Sequence, residues 1–234
     1  MNEQRSLKAK RSEDLKFRLN EDFHPPPHIV DILETEGALV LVGTGRSGKT
    51  CLGHLLANYS SKPVVALAYP ESAISECPDD WTSCPPEEVF KLKDCVLLVD
   101  DAALFAGSRN FASSWSKTWV QFQTIISHKG ITLMFIIQST NLLDIGTLRS
   151  QRMAVLYKYS DETNVMYERD EFKRVAMTTR QVISRLRDLK PQHHPKSWVY
   201  DLTLGKAWTH PMPNHWSDTL STPYRDYILE VKQT

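Results

Sequence analysis

The chain has 234 residues, 41% of them hydrophobic and 24% charged, with 28 basic side chains against 28 acidic ones, and its isoelectric point lies near 7.1. That length supports one substantial core, an α/β domain with appendages, and excludes a multi-domain machine. The balanced charge excludes a globally basic nucleic-acid binder, although a ring needs positive charge only where its pore faces a strand.

Residues 1–27 carry six Lys or Arg among Glu and Asp and end in Pro25-Pro26-Pro27. They read as a mobile charged arm with a stiff spacer, followed by a core over 28–160 and a helical and hairpin extension over 161–234 packed on it. The N-terminus lacks the apolar segment of a signal peptide, and the longest apolar runs are too short for a bilayer. The expectation is a cytosolic chain without a membrane span.

The first apolar run, Ala38 to Val42, leads into Gly43-Thr44-Gly45-Arg46-Ser47-Gly48-Lys49-Thr50. This octet is a complete G-x-x-x-x-G-K-T phosphate loop (Walker A), and the stretch from Lys49 onward is compatible with a helix. A polyphosphate needs several converging backbone N–H groups at the positive end of a helix, and a Gly-rich turn presents them. Lys49 then reaches the β- and γ-phosphates of a nucleoside triphosphate, and the Thr50 hydroxyl takes a share of its magnesium. Cys51 follows directly and reads, like Cys95, as a small core residue. Cys77 and Cys84 alone are candidates to pair or hold metal, but their spacing is not that of a zinc site.

Continuous apolar runs recur at Val64 to Ala68, Val96 to Val99, Ile131 to Ile137 and Met153 to Tyr157. Five such runs separated by helix-compatible segments indicate a mainly parallel sheet covered on both faces, a three-layer α/β sandwich. The third run reads Cys95-Val-Leu-Leu-Val-Asp100-Asp101, a buried strand ending in two acids (Walker B). Asp100 is placed for the magnesium shell, and Asp101 for orienting and deprotonating an attacking water. Two turn-favouring aspartates at a strand end are the plainer alternative.

Residues 107–114 are small and polar, a loop able to move or face a partner. Ser116 to Lys129 then spaces Trp119, Phe122, Ile125 and Ile126 as a helix with a core or subunit-interface face, stopped by Gly130. The fourth run ends in Gln138-Ser139-Thr140. The order phosphate loop, acid-ended strand, polar-tipped strand is that of motor-type (ASCE, RecA-like) P-loop ATPases, in which this strand lies between the other two. Gln138 then meets the γ-phosphate and the catalytic water. Beyond the fifth run, Asp161 to Leu189 reads as one or two charged helices. Six Lys or Arg stand against two acids from Glu171 to Lys190, read as a solvated face ahead of a DNA-contacting or intersubunit one. Trp198 to Leu202 and Lys206 to Thr209 flank Leu204-Gly205 as a small hairpin.

The stretch His128 to Gln138, with Leu142 to Gln151 (LLDIGTLRSQ), resembles the FtsK/HerA superfamily. Within it, the chain is similar to the genome-packaging ATPases of tailless double-stranded DNA viruses. The resemblance spans roughly residues 36–160. It implies that Lys49 and Thr50 hold phosphate and metal, Asp100 holds metal, Asp101 activates water, Gln138 senses the γ-phosphate, and Arg149 matches the arginine that follows the Gln. It further implies Mg2+ with ATP, a homo-oligomeric ring around double-stranded DNA, a capsid or portal-vertex partner, and residence in the host cytoplasm or virion. Two departures stand out: Asp101 replaces the usual Glu, and Ser127-His128-Lys129 occupies the place of an arginine that acts in a neighbouring subunit. Arg149, Arg152, Arg109 and Lys129 are candidates to replace that arginine. A phage assembly or secretion ATPase of the same superfamily and a small nucleotide kinase are the alternative functions, and no motif separates ATP from GTP.

Overall fold

The computed structural model describes residues 22–100, 125–143 and 152–224. Eight strands form one sheet: β1 Gly37–Val42, β2 Val64–Leu67, β3 Thr82–Cys84, β4 Val96–Val99, β5 Thr132–Ile137, β6 Met153–Tyr157, β7 Trp198–Asp201 and β8 Lys206–Thr209. Their spatial order is β3-β2-β4-β5-β1-β6-β7-β8. The pairs among β1 to β6 are parallel, and β7 and β8 join as an antiparallel hairpin at one edge. All five apolar runs are strands, and β5 lies between β4 and β1. Among the described residues, the one unforeseen strand is β3, whose three residues include two exposed ones; it is too short and too polar to register as an apolar run.

The side chains of β1 divide between two cores, as a pleated strand buried on both faces requires. Ala38, Val40 and Val42 join Phe135, Tyr157 and Ala176 on one face. Leu39 and Leu41 join Leu52, Leu56, Met134 and Leu156 on the other. The second face is covered by helix α1 (Pro27–Glu34) and helix α2 (Lys49–Ala57). Short helices α3 (Glu71–Ile74) and α4 (Glu162–Met166) come next in the chain. The first face carries α5 (Asp170–Leu189), which buries Ala176, Thr179 and Ile183 and exposes Arg174 and Arg185, while Arg187 lies over the Tyr159 ring. A last short helix, α6, spans Asp218–Ser221. The architecture is therefore the three-layer α/β sandwich of P-loop NTPases.

One local reading is corrected. The prolines expected as a spacer belong to the packed body: Pro25 is buried, and Pro27 opens α1, where its missing N–H costs nothing. Phe23 lies edge-on to Tyr59, 5.9 Å between centroids. Of the helix expected from Ser116 to Lys129, Trp119 and Phe122 lie outside the described residues; Ser127–Lys129 is a 3-10 turn. Gly130 follows it with φ +66°, as expected of a helix stop.

Candidate nucleotide site

The strand order reverses at β1: α2 carries the chain one way to β2, while β6 lies on the other side. In a parallel sheet, the carboxyl edge of such a strand is where ligands bind. Gly43 to Gly48 leave β1 at this edge and turn into α2 through Gly48, which is left-handed with φ +89°. A Cβ there is strained whatever the space around it, so glycine is required. No side chain caps α2 and no acid occupies its first turn, which leaves its N-terminal dipole to an anion. Arg46 and Gly45 are exposed on the outside of the loop. Ser47 Oγ is buried without a hydrogen-bond partner, a condition that calls for a ligand. Thr44 is held by Tyr159, whose carbonyl accepts from the Thr44 N–H at 3.2 Å and from its hydroxyl at 3.1 Å.

Lys49 is 8% exposed, and its Nζ donates to the Thr44 carbonyl at 2.7 Å, so the ammonium lies within the curl of the loop. One residue on, the Thr50 hydroxyl donates to Asp100 Oδ1 at 3.3 Å. Asp100 is itself 5% exposed and extends from β4, two strands away from β1 in the sheet. Gln138 follows β5, is exposed, and its carbonyl accepts from Asn164 Nδ2 at 3.4 Å. Because Val42 pairs with Ile137, Gln138 leaves the sheet beside Gly43. The structure thus brings Lys49, Thr50, Asp100 and Gln138 to one edge. Asp101, Arg109 and Arg149 lie outside the described residues.

Cys51 is a buried thiol whose pKa burial pushes up to about 11, which makes it inert packing. Cys77 and Cys84 are separate free thiols. No His, Cys, Asp or Glu cluster among the described residues has the makings of a metal site. Two other candidate cations are engaged within their own chain. Lys129 Nζ donates to the carbonyls of Phe90 at 2.6 Å and Leu92 at 3.1 Å. Arg152 pairs with Asp31, at the end of β6 remote from the phosphate loop.

Sequence reasoning missed a hydrogen-bonded chain behind Asp100. Tyr69 donates its only hydroxyl proton to Asp100 Oδ2 at 3.1 Å. Its oxygen lies 3.1 Å from His54 Nε2, and His54 Nδ1 lies 3.2 Å from His215 Nε2. Burial, and then the neighbouring His215, lower the His54 pKa to about 3, so the ring is neutral. With the Tyr69 proton committed, His54 Nε2 carries hydrogen and Nδ1 accepts from His215. All three donors therefore point toward Asp100, leaving Oδ1 on the Thr50 side. A second buried carboxylate, Glu168, ties down the segment after Gln138: its Oε1 accepts from Ser139 Oγ at 3.2 Å and from the Thr140 N–H at 2.7 Å. Neither chain leaves a signal in the sequence, since the partners stand far apart along it.

A cavity of about 760 Å³ adjoins the first turn of α2 and is closed on its other side by the segment from His194 to Thr222. Lys158, fully buried, fastens that segment: Nζ donates to the Lys196 carbonyl at 2.5 Å and to His210 Nε2 at 2.7 Å. Burial lowers its pKa to about 7, with Arg187 and Lys49 adding to the fall against the opposing pull of Cys51.

The chain has the fold of B204, the DNA-packaging ATPase of Sulfolobus Turreted Icosahedral Virus. The two share 13% identity and superpose with a TM-score of 0.50 over 76% of this chain and 98% of B204. The genome packaging NTPase B204 of Sulfolobus turreted icosahedral virus 2, in complex with ATP-gammaS, has 13% identity and a TM-score of 0.48 over 76% and 97% of the two chains. The N-terminal domain of zonular occludens toxin from Neisseria meningitidis has 22% identity and a TM-score of 0.33 over 53% and 76%. No family model matches the chain, and comparison with curated proteins finds no match.

Proposed function

We propose that the chain is an ATP-hydrolysing motor that translocates double-stranded DNA and packages a viral genome into a preformed capsid. The observation that carries this reading is the meeting of Thr50 with Asp100 at 3.3 Å, beside a phosphate loop that already holds Lys49. A hydroxyl and a carboxylate oxygen at this separation are hard donors suited to Mg2+, and Thr50 and Asp100 would hold it. The ion, when bound, neutralises charge on the β- and γ-phosphate oxygens. Gly43 to Cys51 wrap the phosphates, and Lys49 contacts the β- and γ-groups. Asp101 orients and deprotonates the attacking water, and Gln138 reports the γ-phosphate to the strand-end segment that Glu168 secures.

Support for DNA as the cargo comes from the fold shared with B204, named a DNA-packaging ATPase. The subunits form a homo-oligomeric ring on the duplex, with Arg149 reaching the neighbouring site and a capsid or portal-vertex protein as the dock, in the host cytoplasm or on the virion. No helix among the described residues is long and apolar enough to cross a membrane.

The deciding measurement is nucleotide hydrolysis with and without double-stranded DNA, for wild type, Lys49→Ala and Asp101→Ala. Wild type is expected to hydrolyse ATP faster with DNA. Lys49→Ala is expected to lose binding and turnover, and Asp101→Ala to bind ATP with turnover reduced about 100-fold or more. Hydrolysis indifferent to DNA, together with DNA movement that survives Lys49→Ala, would sink the motor reading.

A further inference from the structure

We propose that the cavity beneath the segment from His194 to Thr222 is the base and ribose chamber of the nucleotide site, with Trp216 and Met212 gripping the nucleobase. The inference rests on the nucleotide-binding reading above and goes beyond it. A phosphate loop meets the same triphosphate whichever base is attached, so any grip on the base must come from other residues.

The cavity has the right place and size. Its floor runs from Arg46, Gly48 and Lys49 of the phosphate loop into Thr50 and Cys51 of the first turn of α2, so it is continuous with the place where the phosphates would lie. Its volume of about 760 Å³ falls within the range of small-molecule sites, which are mostly apolar with a few fixed polar groups. A nucleobase offers flat π-faces, and these are best met by an aromatic ring and a polarizable thioether. Trp216 and Met212 line the cavity. The Trp216 ring is held edge-on to His54, 5.5 Å between centroids at 85°, so its plane is set by packing before any ligand arrives. Met212 is 65% exposed, a large apolar side chain at the cavity wall that a base would cover.

The roof is built onto the floor. Lys158 donates to His210 Nε2, which fixes the His210 proton on Nδ1, from where it reaches the Pro211 carbonyl at 2.8 Å. The same lysine holds the Lys196 carbonyl, and a Cβ placed on Gly48 would come within 3.3 Å of that carbonyl. The segment from His194 to Thr222 thus packs against the phosphate loop at Gly48, with the Lys158 side chain holding the same carbonyl. Ser217 Oγ accepts from the Leu220 N–H at 3.2 Å and anchors the roof after Trp216.

Calorimetric titration of ATP and of inorganic tripolyphosphate into the full chain separates base from phosphate. Wild type is expected to bind ATP at least tenfold tighter than tripolyphosphate. Trp216→Ala and Met212→Ala are each expected to weaken ATP at least fivefold while leaving tripolyphosphate unchanged, and Trp216→Phe to recover most of the loss. Met212 is exposed enough that its removal leaves the fold intact, so the assignment does not depend on Trp216→Ala folding. ATP affinity unchanged in Met212→Ala and in folded Trp216→Ala, or ATP and tripolyphosphate falling together, overturns the chamber. A wild type that binds neither ligand overturns the nucleotide reading itself, and the chamber with it.

Discussion

At the scale of single residues, the Asp100 carboxylate divides its work between two oxygens. Oδ1 faces the Thr50 hydroxyl, and Oδ2 takes the Tyr69 proton. Tyr69 is 4% exposed and His54 fully buried, so neither can turn to water when its partner is removed. Tyr69→Phe deletes the donor to Oδ2 and leaves His54 Nε2–H without its acceptor. The expected cost is about 1–3 kcal/mol of stability, the penalty of an unpaired buried polar group. On the proposed role of Asp100 in holding Mg2+, a hydrogen bond that orients its carboxylate matters to the ion, so the Mg2+ concentration for half-maximal ATP binding should rise ~10-fold or more, while metal-free nucleotide binding holds. Thermal unfolding and a magnesium titration measured by nucleotide binding check both. A variant with wild-type stability and wild-type magnesium dependence would show that Tyr69 is mere packing.

At the scale of elements, α2 lies close on the sheet because Gly53 lets it. A Cβ on Gly53 would stand 2.7 Å from Ile136 Cδ1 and 3.2 Å from Leu41 Cδ1. Alanine needs only the tip of a flexible side chain to shift, whereas a β-branched residue pushes on two strands at once. Gly53→Val should therefore destabilise by about 1–3 kcal/mol and weaken ATP binding by moving the first turn of α2, with Gly53→Ala milder on both counts. Denaturant unfolding and ATP titration measure this; equal effects from the two variants would contradict it. The sheet itself was largely legible in the sequence, because strands buried on both faces are continuous apolar runs and the hairpin carries its Gly205 turn. Two kinds of feature escaped. β3 holds its place by pairing with β2 rather than by its own composition. His54, Tyr69, Lys158 and Glu168 look like ordinary polar residues until the fold buries them, and most of their partners are far off in chain order, 15 and 161 positions away for His54. The carboxyl-edge grouping of Lys49, Thr50 and Asp100 was legible because strand-end motifs state their own location.

At the scale of the whole molecule, the hairpin and the segment through α6 are one piece with the sheet. β7 bonds to β6, and Val199 and Leu220 sit in the core shared with α1 and α2. A chain ending at Lys190 would bare that core and strip Lys158 of both acceptors, so it should lose cooperative unfolding, as read by thermal melting and limited proteolysis. A wild-type melting midpoint would refute this. The same buried cation sets a pH dependence. Unfolded, Lys158 returns to a pKa near 10.5; folded, burial holds it at about 7. Between those values the unfolded chain binds a proton that the folded chain refuses, so stability falls as pH drops from 10.5 to 7, by up to ~1.4 kcal/mol per pH unit. Below 7 both states hold the proton, and this contribution becomes level. His54, at about 3, and His210, also lowered by burial and by Lys158, act likewise below the usual histidine value of 6.5, so a second decline sets in under acid conditions. Lys158→Met should flatten the alkaline decline and leave a decline in acid from His54, with His210 contributing less once its charged neighbour is gone. Melting midpoints from pH 4 to 10 for the two proteins test the assignment: if the slope between pH 7 and 10 survives in Lys158→Met, the buried lysine is not its source.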